Sequence, residues 1–205
     1  MKTDAYRAAN KYLESEDLAI RALESQDVMF CWEVEHDSSQ WLYNGMQAPC
    51  SLRQIEHFVK EYSPEPFASG QLRMVLMLRR DPSARERNTD NFLEYENYPG
   101  YENIGLVDLF GLSAVNSSAQ IGVYVLPPFR DKGYGSQAVS LIGKYAHDVL
   151  NIRTLLAKVA SVNHASIRMF EKAGYNRCGL LSDWLRIAGR TYDLLLYQII
   201  LTGEG

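Results

Sequence analysis

The sequence has no apolar run of about 18 residues, the length a membrane-crossing helix needs. Its first residues, MKTDAYRAANKYLESED, lack the apolar stretch of a secretory signal. Cysteine is scarce: Cys31, Cys50 and Cys178 are widely spaced, with no C-x-x-C pair. An odd, scattered set predicts neither a disulfide framework nor a zinc site, but thiols in a reducing compartment. There is no basic surplus either: 21 Lys and Arg against 25 Asp and Glu leave a net charge of −4. A general nucleic-acid binder carries the opposite balance. The four histidines, His36, His57, His147 and His164, show no metal-ligand spacing, and there are no repeats or low-complexity tracts. Together these absences predict a cytoplasmic protein that uses no metal and engages neither nucleic acid nor membrane.

What is present is globular. With 46% hydrophobic residues in 205, the chain can bury a core without covalent staples. Residues 1 to 17 read as a polar, helical N-terminal extension, and residues 18 to 205 as one domain. Leu18 to Ala22 reads as a strand and Glu24 to His36 as a helix. Ser51 is a suitable N-cap for a second helix through Tyr62, stopped by Pro64 and Pro66. Strands follow at Leu72 to Arg79, Ile104 to Leu112 and Ala119 to Leu126, with a long irregular stretch, Asp81 to Tyr101, between the first two. The clearest helix runs from Gly133 to Leu150, with Ala138, Ile142, Tyr145, Ala146 and Val149 on its apolar face. Leu155 to Ala160 is almost wholly apolar, as a strand covered on both faces would be. A short helix capped by Asn163 closes at Gly174, and strands at Tyr175 to Leu181 and Tyr192 to Leu201 complete one mixed α/β domain.

Between the third of those middle strands and the best helix lies Arg130-Asp131-Lys132-Gly133-Tyr134-Gly135-Ser136. Two glycines let backbone approach a bulky anion, and a helix N-terminus offers unpaired N–H groups with a positive dipole. Arg130 and Lys132 add full charge, so the loop suits a pyrophosphate. Gly133 to Ala138 also fits the dinucleotide pattern G-x-G-x-x-A, but Ser161-Val162-Asn163 stand where that fold needs an acidic residue. No Walker A loop occurs.

The segment Pro127 to Ala138 resembles the R/Q-x-x-G-x-G/A signature of the GNAT superfamily of acyltransferases. Asn163-His164-Ala165-Ser166-Ile167-Arg168-Met169-Phe170-Glu171-Lys172-Ala173-Gly174-Tyr175 resembles its second signature, and the tail Gly189 to Tyr197 is similar to the subgroup containing ribosomal-protein N-terminal and spermidine acetyltransferases. The likeness covers most of residues 18 to 201. It implies a single-domain α/β (α+β) fold, with a mixed, mostly antiparallel sheet and helices on both faces. It also implies acetyl-CoA as co-substrate. Val123, Tyr124 and Val125 would pair with the pantetheine arm, Arg130, Asp131, Lys132, Gly133, Tyr134, Gly135 and Ser136 would hold the pyrophosphate, and Asn163 and Phe170 would flank the arm and thioester.

The implied reaction is acetyl transfer to a primary amine: a protein N-terminus, a polyamine or a small molecule. The acceptor groove would be lined by the first two helices and the 81 to 101 segment. Asp108, on the strand before the cofactor strand, and Glu35, in the first helix region, are the candidate general bases; many relatives place a carboxylate where Gln120 stands, so that base is missing here. Ser166 is a candidate proton donor, since relatives carry tyrosine where Phe170 stands. Apart from the acceptor, a homodimer is the one partner left open. A non-catalytic acyl-CoA-binding module and a dinucleotide-dependent oxidoreductase are the rival readings.

Overall fold

The structure, a computed structural model, describes residues 12–38, 41, 48–63, 65–80, 98, 100–187 and 189–202. Seven strands are formed by these residues: β1 (Leu18–Ala22), β2 (Gln71–Arg79), β3 (Tyr101–Ser113), β4 (Ser118–Val125), β5 (Thr154–Ala160), β6 (Asn176–Ile187) and β7 (Arg190–Ile200). Five α-helices accompany them: α1 (Val28–His36), α2 (Leu52–Lys60), α3 (Pro66–Ser69), α4 (Tyr134–Asp148) and α5 (His164–Lys172). The strands make one sheet in the order β1-β2-β3-β4-β5-β7-β6, antiparallel at every junction except β4–β5. The expected mixed, mostly antiparallel sheet with helices on both faces is what forms.

Strand alternation divides the sheet's side chains between two apolar clusters. Leu18, Ile20, Met74, Leu76, Val107 and Leu109 point one way, onto Ala138, Val139, Ile142 and Ala146 of α4 and Phe170 of α5. Ala19, Val75, Met77 and Leu106 point the other way, onto Phe30, Cys31 and Val34 of α1 and Ile55 and Val59 of α2. Helix α2 starts where Ser51 closes a capping box with Gln54, each side chain bonding the other's backbone N–H.

Several local expectations need correction. The stretch up to residue 16 reads as helical, yet its described part turns at Tyr12 and Leu13 and bridges back from Glu14 to Ala19. Leu13, 8% exposed, docks in the α4-side core and anchors that turn. Val149 leaves the buried face of α4: the helix ends at Asp148, and Val149 is 42% exposed as its cap while Val139 and Gly143 are buried. β5 is not covered on both faces, because the α1–α2 layer reaches only β1 to β4, and Lys158 is exposed. β6 runs on past Leu181 to Ile187 through a register break at Leu181/Leu185, where Asp183 has φ 50. Pro66 opens α3 instead of only ending α2. Most of the irregular stretch, residues 81–97 and 99, lies outside the described residues.

The β4–β5 junction shapes the middle of the molecule. It pairs only Ser118, Ala119 and Gln120 with Thr154, Leu155 and Leu156. Beyond Gln120, β4 keeps its ladder to β3 on one edge and loses its partner on the other. The Leu126 N–H donates to the Ile104 carbonyl at 2.8 Å. Antiparallel alternation from that bond turns the amide groups of Tyr124 and Gly122 toward β3, and those of Val123 and Val125 toward the open edge.

Candidate functional site

The chain leaves the open end of β4 through a single 3-10 turn, Pro127–Phe129, and enters the glycine loop. Asp131 (φ 60) and Gly133 (φ 85) both take left-handed backbone, which curls the loop tightly. Gly133 is the N-cap of α4, and the first rung of the helix ladder is Gln137 N–H to Gly133 O at 3.2 Å. The N–H groups of Tyr134, Gly135 and Ser136 precede that rung, so the helix itself offers them no carbonyl. The loop therefore presents unpaired donors with the helix dipole behind them, an arrangement that suits an anion.

Two residues behave differently from the sequence expectation. Arg130 folds back: its Nε donates to the Val125 carbonyl at 2.8 Å, and its guanidinium lies 5.5 Å over the Tyr124 ring. It thus closes one acceptor group of the open edge. Gly135 was expected to be glycine so that a phosphate could approach. A Cβ there would instead lie 2.6 Å from Met169 Sδ, so the missing side chain makes room for α5 against α4. At Gly133 nothing lies within 4 Å of a built Cβ, and only the positive φ asks for glycine.

On the opposite face of the sheet from α4, three charged side chains from three elements meet. Arg73 of β2 donates through Nε to Asp108 Oδ1 at 2.8 Å, through Nη2 to Asp108 Oδ2 at 3.2 Å, and through Nη1 to Glu35 Oε1 at 2.6 Å. The three side chains are only 16%, 18% and 14% exposed in the order Arg73, Asp108, Glu35. The two carboxylates hold the Arg73 guanidinium well above its usual range despite the burial that works against it. The Phe58 ring lies 5.4 Å from the guanidinium, and the Tyr62 hydroxyl donates to the Arg73 carbonyl at 3.1 Å and accepts from its N–H. The sequence reading named both carboxylates and missed the arginine that joins them. Its only signal was a charge next to the apolar run Met74 to Leu78 of the same strand, QLRMVLMLR.

Nearby, the Tyr124 hydroxyl donates to Asp37 Oδ2 at 3.3 Å, just past the end of α1. Burial pushes that phenol up. The remaining candidates sit on α5. Asn163 caps it, accepting the Ser166 N–H at 3.1 Å, which leaves its amide nitrogen for any other partner. Ser166 is half-buried in the first turn, on the α4 side of the sheet and away from Glu35 and Asp108. Phe170 is 4% exposed and meets Tyr175 edge-on at 5.0 Å. The Tyr175 hydroxyl is buried without a hydrogen-bond partner among the described residues. Among those residues, too, no group of three or more His, Cys, Asp or Glu could hold a metal ion.

Comparison with known proteins agrees with this geometry. Residues 17–176 match the family model described as the acetyltransferase (GNAT) domain. The chain is 28% identical over 103 residues to the uncharacterized N-acetyltransferase YoaA of Bacillus subtilis, covering 50% of this chain and 58% of that protein. It is 26% identical over 97 residues to the spermidine N(1)-acetyltransferase of Vibrio cholerae, covering 47% and 56%. It thus spans little more than half the length of the curated relatives it matches. In structure it is similar to the spermidine N-acetyltransferase of Vibrio cholerae solved with CoA and spermine, with a TM-score of 0.73 at 20% identity, over 91% of this chain and 96% of that one.

Proposed function

The chain belongs to the GNAT acetyltransferase family, and on that premise we propose that it moves the acetyl group of acetyl-CoA to a primary amine in the cytoplasm. The observation that carries this reading is the open edge of β4 running directly into the glycine loop of α4. An extended pantetheine arm would pair with Val123 and Val125 as an added strand. Its Val125 contact requires Arg130 to swing from that carbonyl toward the pyrophosphate. The loop Arg130 to Ser136 would then hold the phosphates, and Asn163 and Phe170 would flank the arm.

In this arrangement the amine nitrogen attacks the thioester carbonyl carbon. The oxyanion that forms is met by backbone N–H groups at the open edge, and the bond to sulfur breaks to release a thiolate. An amine drawn in as an ammonium ion first gives one proton to Glu35, Asp108 or water, because only the neutral nitrogen has the lone pair that attacks. The second proton, shed after attack, leaves to water or to the thiolate. The Arg73–Glu35–Asp108 group carries one net negative charge, from two carboxylates against one guanidinium, and so draws a cationic amine to this face. Ser166, across the sheet from Glu35 and Asp108, would serve the thiolate side and not the amine. We take residues 18–205 as the domain that does this.

The test is a thiol-release assay with acetyl-CoA and a panel of alkyl amines, polyamines and peptides with free N-termini. Release of free CoA with at least one class is expected. Binding of acetyl-CoA with no release for any amine would instead make the protein an acyl-CoA-binding module.

A further inference from the structure

Three of the four glycines inside strands β3, β4 and β6 have a visible reason to be glycine. A Cβ at Gly105 would lie 2.0 Å from the Tyr124 carbonyl oxygen, and one at Gly179 would lie 3.1 Å from Leu196 Cδ1. Gly111 has φ +59. Gly122, in the middle of β4, has neither reason. Its backbone is not left-handed, and a Cβ would lie 3.6 Å from Phe110 Cε1 and 3.9 Å from Asp108 Cβ, both ordinary contacts. Among the described residues, nothing from α1 or α2 comes within 4 Å of that position. The fold would accept alanine there, and glycine only weakens a strand interior unless something must come close.

The missing side chain leaves a gap in a specific place. Gly122 pairs with Asp108, so the gap lies on the face that carries Asp108, Arg73 and Glu35. Its neighbours on the same face of β4 do not fill it: the Tyr124 hydroxyl is drawn to Asp37, and the Gln120 amide nitrogen lies 3.0 Å from the Cβ position of Gly111. Phe110, 37% exposed, forms an apolar wall. Val123, next to Gly122 in sequence, turns its amide to the open edge of the same strand. Among the described residues, Gly122 is thus where a molecule on the carboxylate face comes near that edge without meeting a side chain.

We propose that Gly122 is a specificity-determining residue, and that the gap over it admits the reacting end of an unbranched primary amine. The proposal rests on the acetyl-transfer reading. A space one side chain wide takes a –CH2–NH2 terminus with Phe110 against its methylenes and Asp108 near its charge. An amine on a branched carbon, such as a peptide N-terminus with a side chain, is too wide for it.

The test compares the wild type with Gly122→Ala and Gly122→Val on three readouts. These are thermal stability, CoA affinity by calorimetry, and kcat/KM for 1,4-diaminobutane and for a peptide beginning with leucine. The wild type should prefer the diamine. Both variants should bind CoA as the wild type does, and Gly122→Ala should melt no lower, since alanine also restricts the unfolded chain. For the diamine, kcat/KM should fall about 10²-fold in Gly122→Ala, the effect of displacing a reacting group by about an ångström, and further in Gly122→Val. Wild-type kcat/KM in both variants, or a wild-type preference for the peptide, overturns the proposal. If Gly122→Val does not fold, Gly122→Ala decides. If the wild type releases no thiol with any amine, the acetyl-transfer reading is what fails, and calorimetry of 1,4-diaminobutane with the CoA-loaded protein decides the gap. Binding by the wild type that Gly122→Val loses supports it; equal binding, or none, overturns it.

Discussion

The glycine loop and the Arg73 cluster lie on opposite faces of one sheet and are built in opposite ways. The loop is a single run of seven residues, Arg130 to Ser136, whose shape follows from two left-handed residues and a helix start. The cluster draws Glu35 from α1, Arg73 from β2 and Asp108 from β3, the last pair 35 residues apart in sequence. A contiguous site depends on local backbone and tolerates change elsewhere. An assembled site exists only when several elements are already packed. Removing one of its charges therefore strains the fold as well as the chemistry.

The largest expected effect breaks the assembled side. Arg73→Ala would leave two carboxylates, 14% and 18% exposed, without their shared cation. Urea unfolding should show a loss of about 3–5 kcal/mol, as for stripping one partner from a buried pair, and Arg73→Lys should recover only part, lacking the fork. A loss under about 1 kcal/mol would mean that the carboxylates are solvated singly. Next comes the loop. Acetyl-CoA at about 100 times its dissociation constant should raise stability by about 2.7 kcal/mol, with no effect from NADH. No thermal shift at millimolar acetyl-CoA would sink the cofactor assignment.

A loop substitution should do less to the fold. Gly133→Val places a β-branched residue at φ 85 and should cost about 1–2 kcal/mol, with weaker acetyl-CoA binding. Gly135→Val is the poorer probe, because its first clash is with Met169. The smallest effect belongs to Tyr175→Phe, outside both regions. It removes a buried hydroxyl without a partner, so stability near pH 7 should stay level or rise by about 1 kcal/mol. Burial pushes the Tyr175 phenol well above its usual range. The protonated form is favoured in the fold, so its contribution is full below the unfolded value of about pH 10 and is lost as pH rises beyond it. Above about pH 10 the wild type should lose stability more steeply than Tyr175→Phe, by about 1.4 kcal/mol per pH unit.

The same contrast governs what could be read from the residues alone. The loop, the capping box at Ser51 and Gln54, the cap at Asn163 and the strand at Leu18–Ala22 are local patterns, and each lies where the sequence puts it. Arg73 is different: its meaning depends on the β2–β3 register that sets it opposite Asp108. The buried pair Arg21–Asp27 was also invisible. Arg21 is 2% exposed, bonds both Asp27 oxygens at 2.7 Å, reaches Asn103 and stacks on Tyr98, none of which a surface-charge pattern reveals. Gly135 sat in a recognised motif, yet what it packs against, Met169, lies 34 residues further along the chain.

Three paired residues on each side, Ser118 to Gln120 and Thr154 to Leu156, are all the ladder that joins β1–β4 to β5–β7. Every other junction in the sheet has at least five. We expect this short seam to be the weakest line of the sheet, between two antiparallel units, β1–β4 and β5–β7, that share one apolar core. Amide hydrogens at the seam should exchange through a partial opening that leaves both units intact, at a free energy below that of global unfolding. A ligand laid along the unpaired part of β4 would bridge the two units like a missing strand, and exchange at Ser118 to Gln120 would slow although the ligand touches none of those residues.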